Sequence, residues 1–154
     1  VSTKPESRKI TEAAAKSLNM PFVENRWIGG TLTNFPQNKK RIDILLDLKE
    51  KKKKGDLEKY TKKEQSDFAR QIEKMTKNFG GLVGMIKKPD AVFIVDVRKE
   101  KNALVEANKT GTPVVSLSNT DCDFTTIDYP MVGNDASRSS VQFFVDALVA
   151  AYKG

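Results

Sequence analysis

The sequence predicts an α/β fold with a helical hairpin inserted near its middle, and three observations carry that prediction. Apolar strand-like runs alternate with amphipathic stretches after residue 90. The loops between them are short, which is typical of a parallel sheet with right-handed crossovers. Between residues 36 and 80 the pattern changes to two highly charged helices, which indicates a helical hairpin rather than a continuation of the sheet.

The first 35 residues are predicted to begin the α/β domain. VSTK (1–4) reads as the end of a strand, and residues 6–18 carry apolar side chains at helical spacing. Asn19 fits the C-cap position of that helix. Phe22–Val23 is predicted to start a short strand that leads into a bend.

Residues 36–80 form the predicted hairpin, which is expected to protrude. Its first helix has a narrow apolar stripe at Ile42, Leu45 and Leu46. Gly55–Asp56 is a turn pair, and TKKE (61–64) fits a capping box at the start of the second helix. The apolar residues of that helix recur every three or four positions: Phe68, Ile72, Met75, Phe79 and Leu82.

The last part of the chain alternates strands and helices. The run AVFIVDV (91–97) is almost continuously apolar, as in a strand covered on both faces. The elements predicted after it are a helix over 98–111, a strand over 113–118, a loop over 119–135 and a helix over 137–152. Together the elements predict a Rossmann-like (flavodoxin-like) parallel sheet with helices on both faces. Its α/β domain comprises residues 1–35 and 81–154.

The positive charge is concentrated in the hairpin. The chain of 154 residues has a net charge of +7, and residues 39–77 hold fourteen Lys and Arg against eight Asp and Glu, a local excess of six. Such a segment favours a polyanionic partner such as nucleic acid, with steeply salt-dependent binding. A solvated helix face is the simpler alternative for any single lysine. No apolar run is long enough to span a membrane, and the narrow apolar face argues against a membrane partner.

The sequence offers little for catalysis. It contains no histidine, so Ser–His and Cys–His nucleophile pairs are impossible, and its single cysteine, Cys122, cannot form an internal disulfide. Neither G-x-G-x-x-G after a strand nor a G-x-x-x-x-G-K-[ST] loop occurs, and GGLVG (80–84) ends a helix. Asp121, Asp123 and Asp128 fall in one loop, where acids more often form turns than bind Mg²⁺. We therefore expect no cofactor, metal site or catalytic residue.

The bend NRWIGGTLTNF (25–35) is a candidate contact surface. Gly29 and Gly30 allow a sharp turn with close backbone approach, and Asn34 adds a short polar side chain. Trp27 and Phe35 are expected to pin the bend to the core. The hypothesis is a rigid turn that presents backbone amides and Arg26 to RNA phosphates or to a protein neighbour.

Arg138 stands in the first turn of the final helix, where the helix dipole disfavours a cation. Either an external anion lies nearby or Arg138 is an ordinary surface residue, and the sequence leaves both open.

Several motifs together resemble one known family. RWIGGTLTNF (26–35), PDAVFIVDVRKE (89–100) and DCDFTTIDYPMVGNDASRS (121–139) are similar to segments of the bacterial-type ribosomal protein S-two family of the small subunit, in the same order. TKKE and Gly80–Gly81 match as well. The resemblance covers essentially the whole chain, but the family's N-terminal portion is missing, so we expect residues 1–154 to be part of a longer polypeptide.

The resemblance implies a non-catalytic structural constituent of the small ribosomal subunit. It implies contacts with ribosomal RNA and with neighbouring small-subunit proteins, including the large OB-fold-repeat protein that loads mRNA. The implied location is the ribosome of the cytoplasm, or of an organelle matrix or stroma.

Two alternatives stay open: a nucleotide-dependent α/β enzyme that has lost its standard loops, and a free helical-hairpin interaction module. The expected recognition is of RNA shape and phosphate rather than of base sequence. The candidate RNA-binding residues are Lys4, Arg8, Lys9, Arg26, Lys39, Lys40, Arg41, Lys51, Lys52, Lys53, Lys54, Lys62, Lys63 and Arg138.

Overall fold

The computed structural model describes all residues from 1 to 154, which form five α-helices and three β-strands. In chain order these are α1 (Pro5–Ser17), α2 (Phe35–Lys54), α3 (Lys62–Phe79), β1 (Val92–Val95), α4 (Lys101–Thr110), β2 (Val114–Ser118), β3 (Tyr129–Val132) and α5 (Arg138–Lys153). Short 3₁₀ turns cover Asp56–Lys59 and Gly80–Leu82.

The strands form one parallel sheet in the order β1-β2-β3. Val92 pairs with Val114, and Val115 pairs with Tyr129. Because α4 connects β1 to β2 and no hairpin links the strands, the prediction of an α/β fold with a parallel sheet is confirmed.

Core residues lie on both faces of the sheet. Val92 and Ile94 belong to the larger cluster, which also holds Ala103 and Ala107 of α4. The alternate strand residue, Val95, packs in a second cluster. The other members of that second cluster are Leu117 of β2 and Val141 and Val145 of α5, with Ile10 and Ala14 of α1 against them.

α2 and α3 pack on each other through a thin apolar seam. Ile42, Leu45 and Ile72 are buried in the same cluster as the strands, but Leu46 is exposed, so the predicted stripe was wrong at that position. Gly55 ends α2 with a left-handed φ of 77°. The predicted capping box is confirmed, since the Glu64 amide donates to the Thr61 hydroxyl and Glu64 accepts from the Thr61 amide.

Three sequence predictions of strands and loops need correction. Phe22–Val23 is not a strand: its backbone makes isolated hydrogen bonds, from Phe22 N to Gly81 O and from Ser2 N to Val23 O. No regular strand covers residues 1–4, although the Val95 amide donates to the Val1 carbonyl at 3.0 Å. The predicted loop over 119–135 contains β3. Pro130, which argues against a central strand, is tolerated there because β3 lies at the sheet edge.

α1 and α4 each end close to a residue in the left-handed conformation. α1 ends at Ser17, followed by Asn19 with a left-handed φ of 52°, one residue beyond the C-cap Leu18. α4 begins three residues later than predicted, at Lys101, and stops where Gly111 adopts a φ of 64°. None of the helices combines the length and the apolar character that crossing a membrane requires.

Candidate nucleic-acid interface

Most of the candidate cations are exposed and have no acidic partner within the chain. Salt bridges occur at only three of the fourteen candidate residues. The exposed candidates outside any salt bridge are Lys9, Arg26, Lys39, Lys40, Arg41, Lys52, Lys53, Lys62, Lys63 and Arg138.

We define the tip as residues 51–63, the connection between α2 and α3 with its adjoining helix ends. Lys51 pairs with Asp47 at 2.7 Å and Lys54 with Glu50 at 2.6 Å, both one helical turn away. These pairs are exposed, so they are weak and screened by salt. A phosphate can therefore replace either carboxylate at small cost.

Two lysines lie at the N-terminus of α3, a position at which a helix disfavours positive charge. Lys62 and Lys63 occupy its first two positions, and no acid forms a salt bridge with either. Cations at a helix N-terminus oppose the dipole. An external anion at the start of α3 would relieve that repulsion.

Lys4 belongs to the interior, which corrects its place among the candidate RNA contacts. Its ammonium lies 2.6 Å from Asp96 and 3.2 Å from Asp135, and only 19% of the side chain is exposed. Burial by itself would lower the pKa of Lys4, but its hydrogen bonds to Asp96 and Asp135 outweigh it and raise that pKa. The cation is already neutralised by two carboxylates, so we remove Lys4 from the interface.

Arg8 is half-buried as well. Its guanidinium donates to the Thr3 carbonyl at 3.2 Å, while its buried Nε has no hydrogen-bond partner. Lys9, the other candidate on the same helix, is exposed and is therefore the more accessible of the two.

The bend at residues 25–35 folds around a buried carboxylate, that of Glu106 on α4. Glu106 is 8% exposed and accepts hydrogen bonds from the Gly30 amide at 2.7 Å and the Leu32 amide at 3.0 Å. Three further donors converge on it: the indole nitrogen of Trp27, and the amide and hydroxyl of Thr33. The amides that we expected to face RNA therefore face inward, and that part of the hypothesis was wrong.

The expectation that two aromatic residues pin the bend to the core is confirmed. Trp27 is 7% exposed and Phe35 is 8% exposed.

Of the two glycines in the bend, Gly30 must be glycine because its φ is 84°, whereas a side chain at Gly29 would meet only Glu106, at 4.0 Å. Asn34 precedes α2 without a side-chain capping bond. Arg26 is the exposed cation of the bend.

The sequence pattern around Glu106 indicates that this residue is buried. It lies between Leu104 and Ala107, and Ala103 is one turn before it, so the acid falls on the buried face of α4. A carboxylate on an apolar face must accept several hydrogen bonds to be stable there.

Comparison with known proteins decides the family. The chain matches the family described as Ribosomal protein S2 over residues 1–154. This chain belongs to that family.

Relatives called small ribosomal subunit protein uS2 align with almost all of the chain. The Opitutus terrae protein is 40% identical over 98% of this chain and the Helicobacter hepaticus protein is 42% identical over 98%. The Dictyoglomus thermophilum protein is 40% identical over the same share. The aligned region makes up 50%, 57% and 61% of those three relatives, so the chain spans little more than half of their length.

The three acids of the loop after β2 each bind a group within the chain itself. Asp121 pairs with Arg98 at 2.8 Å, Asp123 accepts from the Thr125 amide at 3.0 Å, and Asp128 accepts from the Val114 amide at 2.8 Å. No three acidic or cysteine side chains are arranged to hold a metal ion. Burial raises the pKa of the Cys122 thiol, which favours its neutral form.

We expect the stability of the chain to depend on pH through Glu106. Burial by itself would raise the pKa of Glu106, but hydrogen bonds from Leu32, Gly30 and Trp27 prevail and hold it below its usual value. The Glu106 carboxylate therefore binds a proton less readily in the folded state than in the unfolded chain, where a glutamate has a pKa of about 4.3. The stabilisation is fully present above that pH and is lost as the pH falls through the lower, folded-state value.

Urea unfolding between pH 6 and pH 3 measures this dependence. Because other acids also titrate, the useful quantity is the stability difference between the wild type and Glu106→Gln. We expect that difference to shrink as the pH falls below about 4. A difference that stays constant over the whole range would contradict the assignment of a depressed pKa to Glu106.

Proposed function

We propose that this chain is part of a structural constituent of the small ribosomal subunit, which binds ribosomal RNA and neighbouring small-subunit proteins during translation in the cytoplasm. The observation that carries the proposal is the match of the entire chain to the ribosomal protein S2 family. The relatives that align with 98% of the chain are themselves called small ribosomal subunit proteins.

The proposed architecture is a Rossmann-like domain, residues 1–35 and 81–154, with residues 36–80 as an inserted, protruding helical hairpin. The parallel strand order and the core clusters on both sheet faces support this division. The base of the hairpin shares its core with the sheet through Ile42 and Leu45. That shared core favours a fixed extension of the domain over a free hairpin module.

The RNA contacts that we propose are the accessible cations of the hairpin and of the domain edge. They are Lys9, Arg26, Lys39, Lys40, Arg41, Lys51, Lys52, Lys53, Lys54, Lys62, Lys63 and Arg138, with Arg8 beside them. Flexible side chains of this kind read phosphate positions and RNA shape. The proposed protein partners are small-subunit neighbours, including the large OB-fold-repeat protein.

The alternative of a nucleotide-dependent enzyme is disfavoured by the packing at the carboxyl end of the sheet. In open α/β sheets, ligands bind in the crevice beyond the carboxyl ends of the strands. Here that region is occupied by Lys4, which bridges Asp96 after β1 and Asp135 after β3. The Thr3 amide donates to Glu100 beside it at 3.1 Å. Internal ion pairs and hydrogen bonds thus replace the groups that would receive a phosphate.

A matched pair of charge variants tests the RNA contact. The first variant changes the four unpaired tip lysines, Lys52, Lys53, Lys62 and Lys63, to glutamine. Each lysine that no longer neutralises a phosphate should reduce the slope of log affinity against log salt by about 1. We expect weaker binding to small-subunit ribosomal RNA and a flatter salt dependence, measured by filter binding between 50 and about 300 mM salt.

The control removes the same charge elsewhere. Lys99, Lys101, Lys109 and Lys153 are exposed lysines outside the candidate set, and none forms a salt bridge. Changing these four to glutamine should leave the salt slope close to that of the wild type. An equally large decrease in affinity for both variants would mean that net charge alone drives binding, and the proposed interface would be rejected.

A further inference from the structure

An exposed tyrosine lies among the lysines of the tip. Tyr60 has 48% of its surface exposed, although tyrosine usually buries most of its ring. It lines a concavity of about 410 Å³ together with Lys51, Asp56, Leu57 and Lys59. One aromatic ring is thus accessible in a concavity that two lysines also line.

The ring of Tyr60 is held in place by its surroundings. It packs edge-to-face on Phe68, with ring centroids 5.2 Å apart and planes at 66°. The Tyr60 carbonyl accepts a hydrogen bond from the Gln65 side chain at 2.8 Å, and the Tyr60 amide donates to the Leu57 carbonyl at 3.3 Å. Because the Phe68 contact restrains the ring and the hydrogen bonds restrain the backbone, a flat ligand that binds Tyr60 loses less conformational freedom than it would on an unrestrained side chain.

The charges around the ring suit a phosphodiester rather than a free base. Lys51 pairs with Asp47 at 2.7 Å and Lys59 with Asp56 at 3.3 Å, both on the surface. Such pairs exchange readily with other anions. An accessible aromatic side chain combined with neighbouring positive charge is how proteins hold unpaired nucleotides without reading their sequence.

We propose that Tyr60 is a stacking platform for an unpaired RNA base, with Lys51 and Lys59 on the phosphates that flank it. The inference rests on the proposed RNA-binding function. It specifies the ligand at the tip as a single-stranded or bulged nucleotide. The lysines of the tip that form no salt bridge would bind duplex phosphates in addition.

The test compares two RNA probes on the 154-residue chain by fluorescence anisotropy. One probe is an unstructured ten-nucleotide RNA and the other is the same sequence paired with its complement. Tyr60→Leu removes the aromatic face and should weaken binding of the single strand about ten-fold or more. Binding of the duplex, which offers no exposed base face, should change less than about two-fold.

Two further variants separate the possible explanations. Tyr60→Phe keeps the ring and should bind both probes as the wild type does. Lys53→Gln, which removes a charge outside the concavity, should weaken both probes to a similar extent.

Unchanged binding of the single strand by Tyr60→Leu would overturn the stacking platform while leaving the proposed RNA-binding function intact. Equal weakening on both probes would also overturn it. Failure of the wild type to bind either probe at low salt would overturn the stacking platform and the proposed function together.

Discussion

Replacing Glu106 by glutamine is expected to lower the free energy of unfolding by about 2–4 kcal/mol. One carboxylate oxygen of Glu106 accepts hydrogen bonds from the Gly30 amide at 2.7 Å and from the Trp27 indole at 3.1 Å. The other oxygen accepts a hydrogen bond from the Leu32 amide at 3.0 Å. Glutamine preserves the shape but offers one acceptor oxygen in place of two. Its amide group would face N–H donors, so buried donors would lose their partner.

Chemical denaturation at pH 7 measures the destabilisation. Glu73→Gln on α3 is the matched control, since Glu73 is exposed and forms no hydrogen bond or salt bridge. We expect no measurable change in that control, as for most surface substitutions. If both variants unfolded at the same urea concentration as the wild type, Glu106 would not be organising the bend.

Gly81→Ala is expected to be destabilising by about 1–3 kcal/mol, towards the upper end of that range, because the methyl group would collide with backbone. A Cβ at this position would overlap the Phe22 carbonyl oxygen and lie 2.8 Å from Cδ2 of the Phe22 ring. The Gly81 carbonyl also accepts from the Phe22 amide at 2.9 Å. Relieving the overlap would therefore break a hydrogen bond between the segment before the bend and the end of the hairpin.

Gly84→Ala provides the comparison for Gly81→Ala in the same segment. A Cβ there would meet no atom within 4 Å, and Gly84 has no positive φ. We expect it to leave the thermal unfolding midpoint unchanged or slightly raised, since alanine reduces the freedom of the unfolded chain. Similar midpoints for Gly81→Ala and Gly84→Ala would refute the close approach at Gly81.

Periodicity was enough to predict the five helices and the two buried strands, β1 and β2. The spacing of Ile42, Leu45 and Ile72 marked the seam between α2 and α3, and the apolar run around Ile94 marked β1. Thr61 and Glu64 located the start of α3 because a capping box is a local interaction. Such features involve residues that are close in the chain, so they can be derived without knowledge of the tertiary contacts.

Long-range contacts could not be derived in that way. Glu106 is 76 residues from Gly30 in the chain, and Gly81 is 59 residues from Phe22. The sequence indicated close backbone approach at the Gly29–Gly30 pair, whereas the structure shows the tighter approach at Gly81. Lys4 looked like a surface cation because its two acidic partners follow different strands. β3 was missed since an edge strand that contains Pro130 lacks the continuous apolar pattern.

The carboxylate of Glu106 also has a mechanical consequence for the hairpin. It fixes the segment that ends at Phe35, where α2 departs, and α2 then runs for 20 residues, a length of about 30 Å. A tilt of about 10° at that root would swing the far end of such a rod by about 5 Å, roughly the spacing between neighbouring phosphates. One buried acid thus helps to set the direction in which α2 leaves the core, together with the packing of Ile42 and Leu45.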